Sequence, residues 1–468
     1  MELLGQVDRI LLSLRGVFHR RRAFDWFVLV TWALMLRLDM AGVTSIVRCW
    51  GLAPKEYYNL LHFFHSEAFC VKDLCSAWMN QVMTHLDPVR INGSALVLAD
   101  SIKVGKAGQR MPGVKLLHQE SEDNSKPEFI MGHHLGAVAA VVAAGRNVFA
   151  LPVRLQIQEG LKRSPTDAQT LVSKMADLLV ELLVPGTSQT LGATVVADAY
   201  YASHALLGAL LQHGIGYVGR IRSNTVAYLP PPERQKHTRG RPRERGDKVV
   251  LRDLFKKPEQ FTWAEVELYG EVKQLHYYTC DLLWHRMFVR FVLTIYPDGK
   301  EFILITTQRL WSAEDIIRAY ELRFKIEVTF KALVHVLFSF FYHFWMKAWP
   351  KTKEGDKSVY LHQKTPEFRR QVYRKIEAYE RFVNIACIAL GILQWLAIRC
   401  PLAIWDRFPV WMRTLPKHGC PTEHVVRLTL QHELHQNFLK SRSSTLLEKI
   451  LATRTTVPES AHPIRLSV

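Results

Sequence analysis

Between Trp311 and Lys331 the chain reads WSAEDIIRAYELRFKIEVTFK, in which a carboxylate flanked by Arg and Lys suggests a site that handles a phosphate backbone. Tyr320, Arg323, Glu327 and Lys331 recur at intervals of three or four, which on a helix places all four on one face. Two aspartates far away in sequence, Asp100 and Asp198, each close a β-like apolar run, SALVLAD and GATVVAD. Three carboxylates brought together suit Mg²⁺, a hard cation that prefers oxygen ligands, with Mn²⁺ as a substitute. Two such ions can activate a water or a 3′-hydroxyl and stabilise the leaving oxygen of a phosphodiester. Without metal, clustered carboxylates raise one another's pKa, so the centre should prefer a bound cation. Taken singly, an aspartate after a strand also reads as a turn former, and a glutamate among basic residues as a surface ion pair. What selects the catalytic reading is that strand order, acid placement and helix stripe agree.

For acids so far apart to meet, the chain between them must be built to bring them together. Residues 1–90 read as helical, with apolar residues at three-to-four spacing. Within them Val43–Phe64 reads as helix, Gly51 turn, helix, with Pro54 opening the second. A DNA-reading helix-turn-helix and an ordinary helical hairpin fit this pattern equally. The cluster His19-Arg20-Arg21-Arg22 lies close by in sequence.

The periodicity changes in residues 91–222. Apolar runs at Ser94–Asp100, His134–Val142 and Asn147–Ile157 read as strands, the last two joined by a Gly145 turn. Ser164-Pro165-Thr166-Asp167 reads as a helix start, with the helix running to about Leu183. The strand Gly192–Asp198, a helix around Ser203–His213, Gly214 as its cap and the strand Ile215–Arg222 complete the order β-β-β-α-β-α-β. That order matches an α/β, ribonuclease-H-like catalytic core, in which a first aspartate ends strand one and a second ends strand four.

Residues 223–305 read as a β-rich insertion that opens with three prolines and the basic stretch Arg234–Arg245, followed by four alternating runs. Residues 306–350 return to the core with the Glu327 helix, which Ser312 and Asp315 open as a capping box. A polar linker, Lys351–Thr365, leads into a helical C-terminal region within 351–468, a candidate for dimerisation.

Composition narrows the partners. The 468 residues are 48% hydrophobic and 11% aromatic, enough for a large core and incompatible with a disordered chain. An excess of 61 Lys and Arg over 43 Asp and Glu, net +18, points to a polyanion: nucleic acid first, an anionic membrane surface second. Against the membrane, the run Trp26–Leu36 is too short to span, and Val336–Trp349 is short and broken by His343 and Lys347. Both read as buried helices, and no basic amphipathic helix with a clean apolar face is apparent. Seven scattered cysteines without a CxxC pair indicate neither a zinc site nor a disulfide framework and fit a reducing cytoplasm. His133 and His134, adjacent on a strand, point to opposite faces and cannot readily chelate one ion.

The residues resemble a known family. Tyr320, Arg323 and Glu327 match the Tyr-x2-Arg-x3-Glu signature of DDE transposases of the IS4 superfamily. Ala99–Lys103 (ADSIK) and Val196–Ser203 (VADAYYAS) look like its two aspartate motifs, and the β-rich insertion is similar in placement. The resemblance covers residues 90–345 and leans toward the IS701-like branch. It departs at one point: the family's lysine seven residues after the glutamate falls on Val334, and Lys331 lies one turn earlier on the same face.

The resemblance implies a catalytic and metal-binding trio of Asp100, Asp198 and Glu327. It implies cleavage of double-stranded DNA at transposon ends and attack of the freed 3′-hydroxyl on target DNA. It further implies a homodimer in the active complex and a cytoplasmic, nucleoid-associated location. Tyr320, Arg323 and Lys331 would contact DNA near the scissile phosphate. Arg220 and Arg222 are further phosphate candidates, as readily read as solvated strand-end charges. Arg239, Arg241 and Arg243, in an Arg-Gly-Arg-Pro-Arg segment, could lie in a minor groove or form a loose basic loop near DNA. The family's insertion can carry a tryptophan that stacks on an extruded base. Trp263, Trp284 and Trp311 are in or near it, but none is assigned that role. A DNA-binding protein derived from such an enzyme, without its catalysis, is the alternative.

Overall fold

The computed structural model describes residues 3–37, 39–40, 42–119, 127–162, 170–184, 192–232, 243–268, 270–351, 359–411, 419–440 and 445–454. The chain forms two compact units, one of Met1–Leu74, Ala332–Phe344 and Tyr373–Val468, the other of Cys75–Lys331 and Trp345–Val372.

The first unit is helical. It begins with α1 (Leu3–Ser13), α2 (Arg21–Leu36), α3 (Gly42–Cys49) and α4 (Glu56–His65). α2 carries the run Trp26–Leu36 and is buried along almost its whole length, so the apolar stretch is a core helix. Gly51, at φ +58°, turns the chain between α3 and α4, a backbone state that suits glycine. The C-terminal helices Pro366–Arg399, Pro401–Arg407, Glu423–Lys440 and Leu446–Ala452 complete the helical set among the described residues. Pro366–Arg399 is the one described helix long and apolar enough to cross a membrane, and its apolar window is buried inside the protein.

The second unit is built on a sheet. After α5 (Val71–His85) come β1 (Ser94–Gly105), β2 (Phe129–Ala144), β3 (Asn147–Ile157), α6 (Leu171–Leu183), β4 (Ala193–Ala197), α7 (His204–Gln212) and β5 (Gly216–Ile221). The five strands lie in the order β3-β2-β1-β4-β5. β1, β4 and β5 run parallel, while β2 and β3 are antiparallel to their neighbours. In β1 the consecutive residues Ala95–Ala99 are all buried. Successive side chains point to opposite faces, so both faces of this strand are covered. With its flanking helices this is the ribonuclease-H-like arrangement expected from the sequence.

β1 continues past Asp100 to Gly105, because Ser101–Gly105 pair with Gly132–Gly136 of β2 even though the apolar run has ended. α6 begins at Leu171 with Thr170 as its cap, the Thr170 hydroxyl accepting from the Ser173 N–H at 3.2 Å. The expected start at Ser164–Asp167 lies outside the described residues. The insertion strands continue the core sheet. β6 (Thr262–Leu268), β7 (Glu271–Trp284), β8 (Met287–Ile295) and β9 (Glu301–Thr306) extend the core sheet through an antiparallel β9–β5 pairing, in the order β5-β9-β8-β7-β6.

The expected single helix through Trp311–Lys331 is two helices, α8 (Ala313–Glu321) and α9 (Phe324–His335). Ser312 caps α8 by accepting from the Asp315 N–H at 3.1 Å. The Asp315 carboxylate receives the Asn92 amide at 3.2 Å, and the reciprocal half of the expected capping box is not formed. At the break, Arg323 N–H bonds Tyr320 O and Ile326 N–H bonds Arg323 O. These i to i+3 bonds tighten the turn without proline or glycine, so nothing in the composition marks it.

α9 also ends before the aromatic run Val336–Trp349, which is largely buried but irregular, not helical. Phe338 takes a left-handed conformation at φ +51°. The carbonyls of Leu337 and Phe338 accept from Arg37 at 3.1 and 2.9 Å, and that of Val336 from Arg427 at 2.5 Å. Buried guanidiniums thus take the place of continued helical bonding.

Candidate active site

The sheet sets Asp100 and Asp198 side by side. β1 and β4 are parallel with Ala99 paired to Ala197, so the next residue on each strand is an aspartate at the same level. Adjacent strands are about 4.8 Å apart, which brings the carboxylates within one local environment. Each is fixed by its neighbour's backbone: Ser101 N–H donates to Asp100 Oδ1 at 2.7 Å, and Ala199 N–H to Asp198 Oδ1 at 2.7 Å. Asp198 thereby caps the short turn Ala199–Tyr201. In both residues the following backbone N–H holds Oδ1.

Glu327 comes from the first turn of α9, and Arg323, in the α8–α9 break, joins it to the strands. The Arg323 guanidinium donates from Nη1 to Asp100 Oδ2 at 2.9 Å and from Nη2 to Glu327 Oε1 at 2.6 Å. Burial raises the Asp100 carboxyl to about 6, Arg323 and the Ser101 N–H oppose that rise, and Asp198 and Glu327 add to it. For Arg323 burial acts to lower the pKa, but Asp100, Asp198, Tyr320 and Glu327 outweigh it and hold the guanidinium above its ordinary value. Among the described residues, all three acids act on the Arg323 cation, so negative charge outweighs positive charge around it.

That imbalance and the oxygen-only donor set fit a hard divalent ion. Among the described residues no three His, Cys, Asp or Glu side chains stand close enough to hold one together. The Arg323 guanidinium stands between Asp100 and Glu327.

Of the other expected site residues, Tyr320 shares this environment. Burial, then Asp198, raises its hydroxyl to about 12. Arg220, on β5, lies over the Phe302 ring at 4.3 Å and adds a positive field at Tyr320. Arg222 is exposed, as are Lys331 on α9 and Arg243; Val334 is half-buried. Arg239 and Arg241 lie outside the described residues. Trp263 is exposed, whereas Trp284 and Trp311 are buried.

Sequence reasoning missed a cavity of about 490 Å³ that begins at Ala199 and Tyr200, immediately after Asp198. Tyr200, Arg222, Tyr228, Arg245, Trp284 and His285 line it, and Arg245 lies over the Tyr228 ring at 4.9 Å. These residues come from four separate stretches of chain, so no local pattern could have grouped them.

His133 and His134 have separate partners, as their alternation requires. His133 Nε2 contacts Pro112 O at 3.0 Å, and burial lowers the ring to about 3. His134 Nδ1 meets Glu159 Oε2 at 2.7 Å, while Lys115 Nζ donates to Glu159 Oε1 at 2.9 Å. Burial acts to raise Glu159, but His134 and Lys115 overcome it and bring the carboxyl down to about 2.

A family profile described as DDE superfamily endonuclease matches residues 13–279, more than half of the chain. The match includes Asp100 and Asp198 and stops before Glu327. No curated protein matches the chain.

Proposed function

The chain belongs to the DDE superfamily endonucleases, and on that premise we propose that it is a DNA transposase that cleaves transposon ends and joins the 3′-hydroxyl to target DNA. Asp100, Asp198 and Glu327 form its catalytic centre. The observation that carries this reading is the register pair Ala99–Ala197, which delivers two aspartates together to a charge-deficient centre that Glu327 completes.

Asp100 and Asp198 would hold Mg²⁺ or Mn²⁺ through the oxygens not engaged by Ser101 and Ala199, with Glu327 as the third ligand. Bound there, the metal supplies the positive charge that stabilises the attacking and leaving oxygens of a phosphodiester. This chain's own contribution is positioning and charge balance. Strand pairing and backbone N–H bonds fix the two aspartates. Arg323 and Tyr320 would grip a phosphate beside the acids, and Lys331 would add a further cation on α9. Arg220, Arg222, Arg243 and the Arg245-lined cavity extend the positive surface along which duplex DNA would run.

The Tyr320-Arg323-Glu327 spacing supports placement in the IS4 superfamily, and the IS701-like branch is the finer assignment proposed. Processing of two ends at once calls for a homodimer acting on DNA in the nucleoid of the cytoplasm. A second reading, a DNA-binding protein that no longer cuts, is favoured by one observation: Val334 stands where the family's lysine is expected.

The two readings separate in a cleavage assay on DNA carrying the element's ends. Wild type with Mg²⁺ should nick at the ends, and Asp100→Ala, Asp198→Ala and Glu327→Ala should not. DNA binding without cleavage by the wild type favours the second reading, and equal cutting by the variants removes the acid trio from catalysis.

A further inference from the structure

We propose that Arg323 is a built-in counter-ion that competes with divalent metal for the acid centre and is drawn away by a DNA phosphate, so that metal loading is coupled to substrate binding. This inference rests on the reading of Asp100, Asp198 and Glu327 as metal ligands.

The geometry sets up the competition. One guanidinium spans two carboxylates, with 2.9 Å to Asp100 Oδ2 and 2.6 Å to Glu327 Oε1. The backbone N–H of Ser101 already takes Asp100 Oδ1, so the oxygen held by Arg323 is the one left for a metal. A divalent ion on those oxygens would stand directly against the guanidinium's positive charge, so the two cations oppose each other there. The Arg323 and Asp100 side chains are only 19% and 16% exposed, so the pair is substantially desolvated. Removing one partner from such a pair leaves an uncompensated charge, which favours the bridged state whenever no other cation is present.

Arg323 also has the means to leave. Its backbone is fixed in the α8–α9 turn by bonds to Tyr320 and Ile326, while its long side chain can change rotamer. The planar fork that fits two carboxylate oxygens fits a phosphate equally well. A phosphate near Tyr320 therefore offers the guanidinium an equivalent partner and frees the acid oxygens. Because linkage is reciprocal, DNA raises metal affinity by the same factor that metal raises DNA affinity.

The test measures binding, not turnover. Mn²⁺ is titrated into the full-length protein and free ion is followed by electron paramagnetic resonance, for wild type, Arg323→Gln, Arg323→Lys and Asp100→Asn. Without DNA, Arg323→Gln should bind Mn²⁺ more tightly than wild type, by a factor within the roughly 5–150-fold range usual for coupled sites. Arg323→Lys, which keeps the charge but loses the fork, should fall between them and serves also if Arg323→Gln does not fold. Addition of a short DNA duplex, corrected for Mn²⁺ bound by DNA alone, should raise wild-type affinity and leave Arg323→Gln nearly unchanged. If both Arg323 variants bind no tighter than wild type while Asp100→Asn binds poorly, the counter-ion proposal is overturned and the ligand reading stands. If Asp100→Asn binds as tightly as wild type, the ligand reading itself fails. Absence of Mn²⁺ binding by all four proteins overturns both.

Discussion

Asp100 and Glu159 are both partly buried carboxylates of the sheet unit, yet their surroundings move them in opposite directions. At Glu159 one acid faces His134 and Lys115, and the carboxyl falls to about 2 despite burial. At Asp100 burial dominates, two further acids reinforce it, one arginine resists, and the carboxyl rises to about 6. The first cluster is electrostatically closed and ties the end of β3 to β2 through His134. The second is left open, with more negative charge than the protein neutralises. Stability alone would not favour the open arrangement, and the deficit supports the proposal that an external cation completes it.

The sharpest way to break this contrast is to neutralise one acid of each cluster. Asp100→Asn or Asp198→Asn should lower cleavage by at least about 10²-fold, the scale of losing a preorganised electrostatic group. Asp198→Asn should also leave the metal-free protein no less stable, because it relieves repulsion among acids, whereas Asp100→Asn removes a partner of Arg323 and should cost stability. Nicking assays and urea unfolding in chelator check the two halves. A large loss of stability in Asp198→Asn would mean that the open cluster is structural after all.

Glu159→Gln should do the reverse. It removes charge-assisted bonds to His134 and Lys115 and should destabilise by about 1–3 kcal/mol, with cleavage per folded molecule retained. The pH dependence follows from the lowered carboxyl. Its stabilisation is fully present above the ordinary glutamate value of 4.5 and is lost as pH falls toward about 2. Wild type and Glu159→Gln should therefore differ most in urea midpoint at neutral pH and converge in acid. A difference that grew in acid would contradict the assignment.

The smallest effect is expected on the exposed rim of the open cluster. Lys331→Ala should weaken DNA binding modestly and reduce the slope of log affinity against log salt by about one, as for loss of one phosphate contact. Fluorescence anisotropy across a salt series would show it. An unchanged slope would place Lys331 away from the DNA.

The contrast also shows what could be read from the chain alone. The core strands were legible because SALVLAD and GATVVAD are short apolar runs that end in an acid, and a strand buried on both faces needs such a run. The proximity of Asp100 to Asp198 followed from strand order. The α8–α9 break was hidden because i to i+3 bonding at Leu322 and Arg323 needs no glycine or proline. The end of α9 was hidden for a related reason: Phe338 adopts the left-handed state and distant arginines satisfy the carbonyls. The join of β9 to β5 is a long-range pairing that strand propensity cannot specify. Glu159 lies just beyond β3, His134 within β2 and Lys115 at the start of a short strand, Lys115–His118, so spacing gave no sign of their cluster. Arg323 was visible as a member of the helical stripe, but its bridge to Asp100 spans 223 positions and only the fold reveals it.

The most direct test of the open-cluster account is a crystal structure of the protein with Mn²⁺ and a short duplex, read by anomalous scattering. The account predicts an anomalous peak contacting Asp100, Asp198 and Glu327 through oxygen, with the Arg323 guanidinium turned onto a phosphate. Mn²⁺ bound elsewhere, with Arg323 still bridging Asp100 and Glu327 beside the DNA, would contradict it.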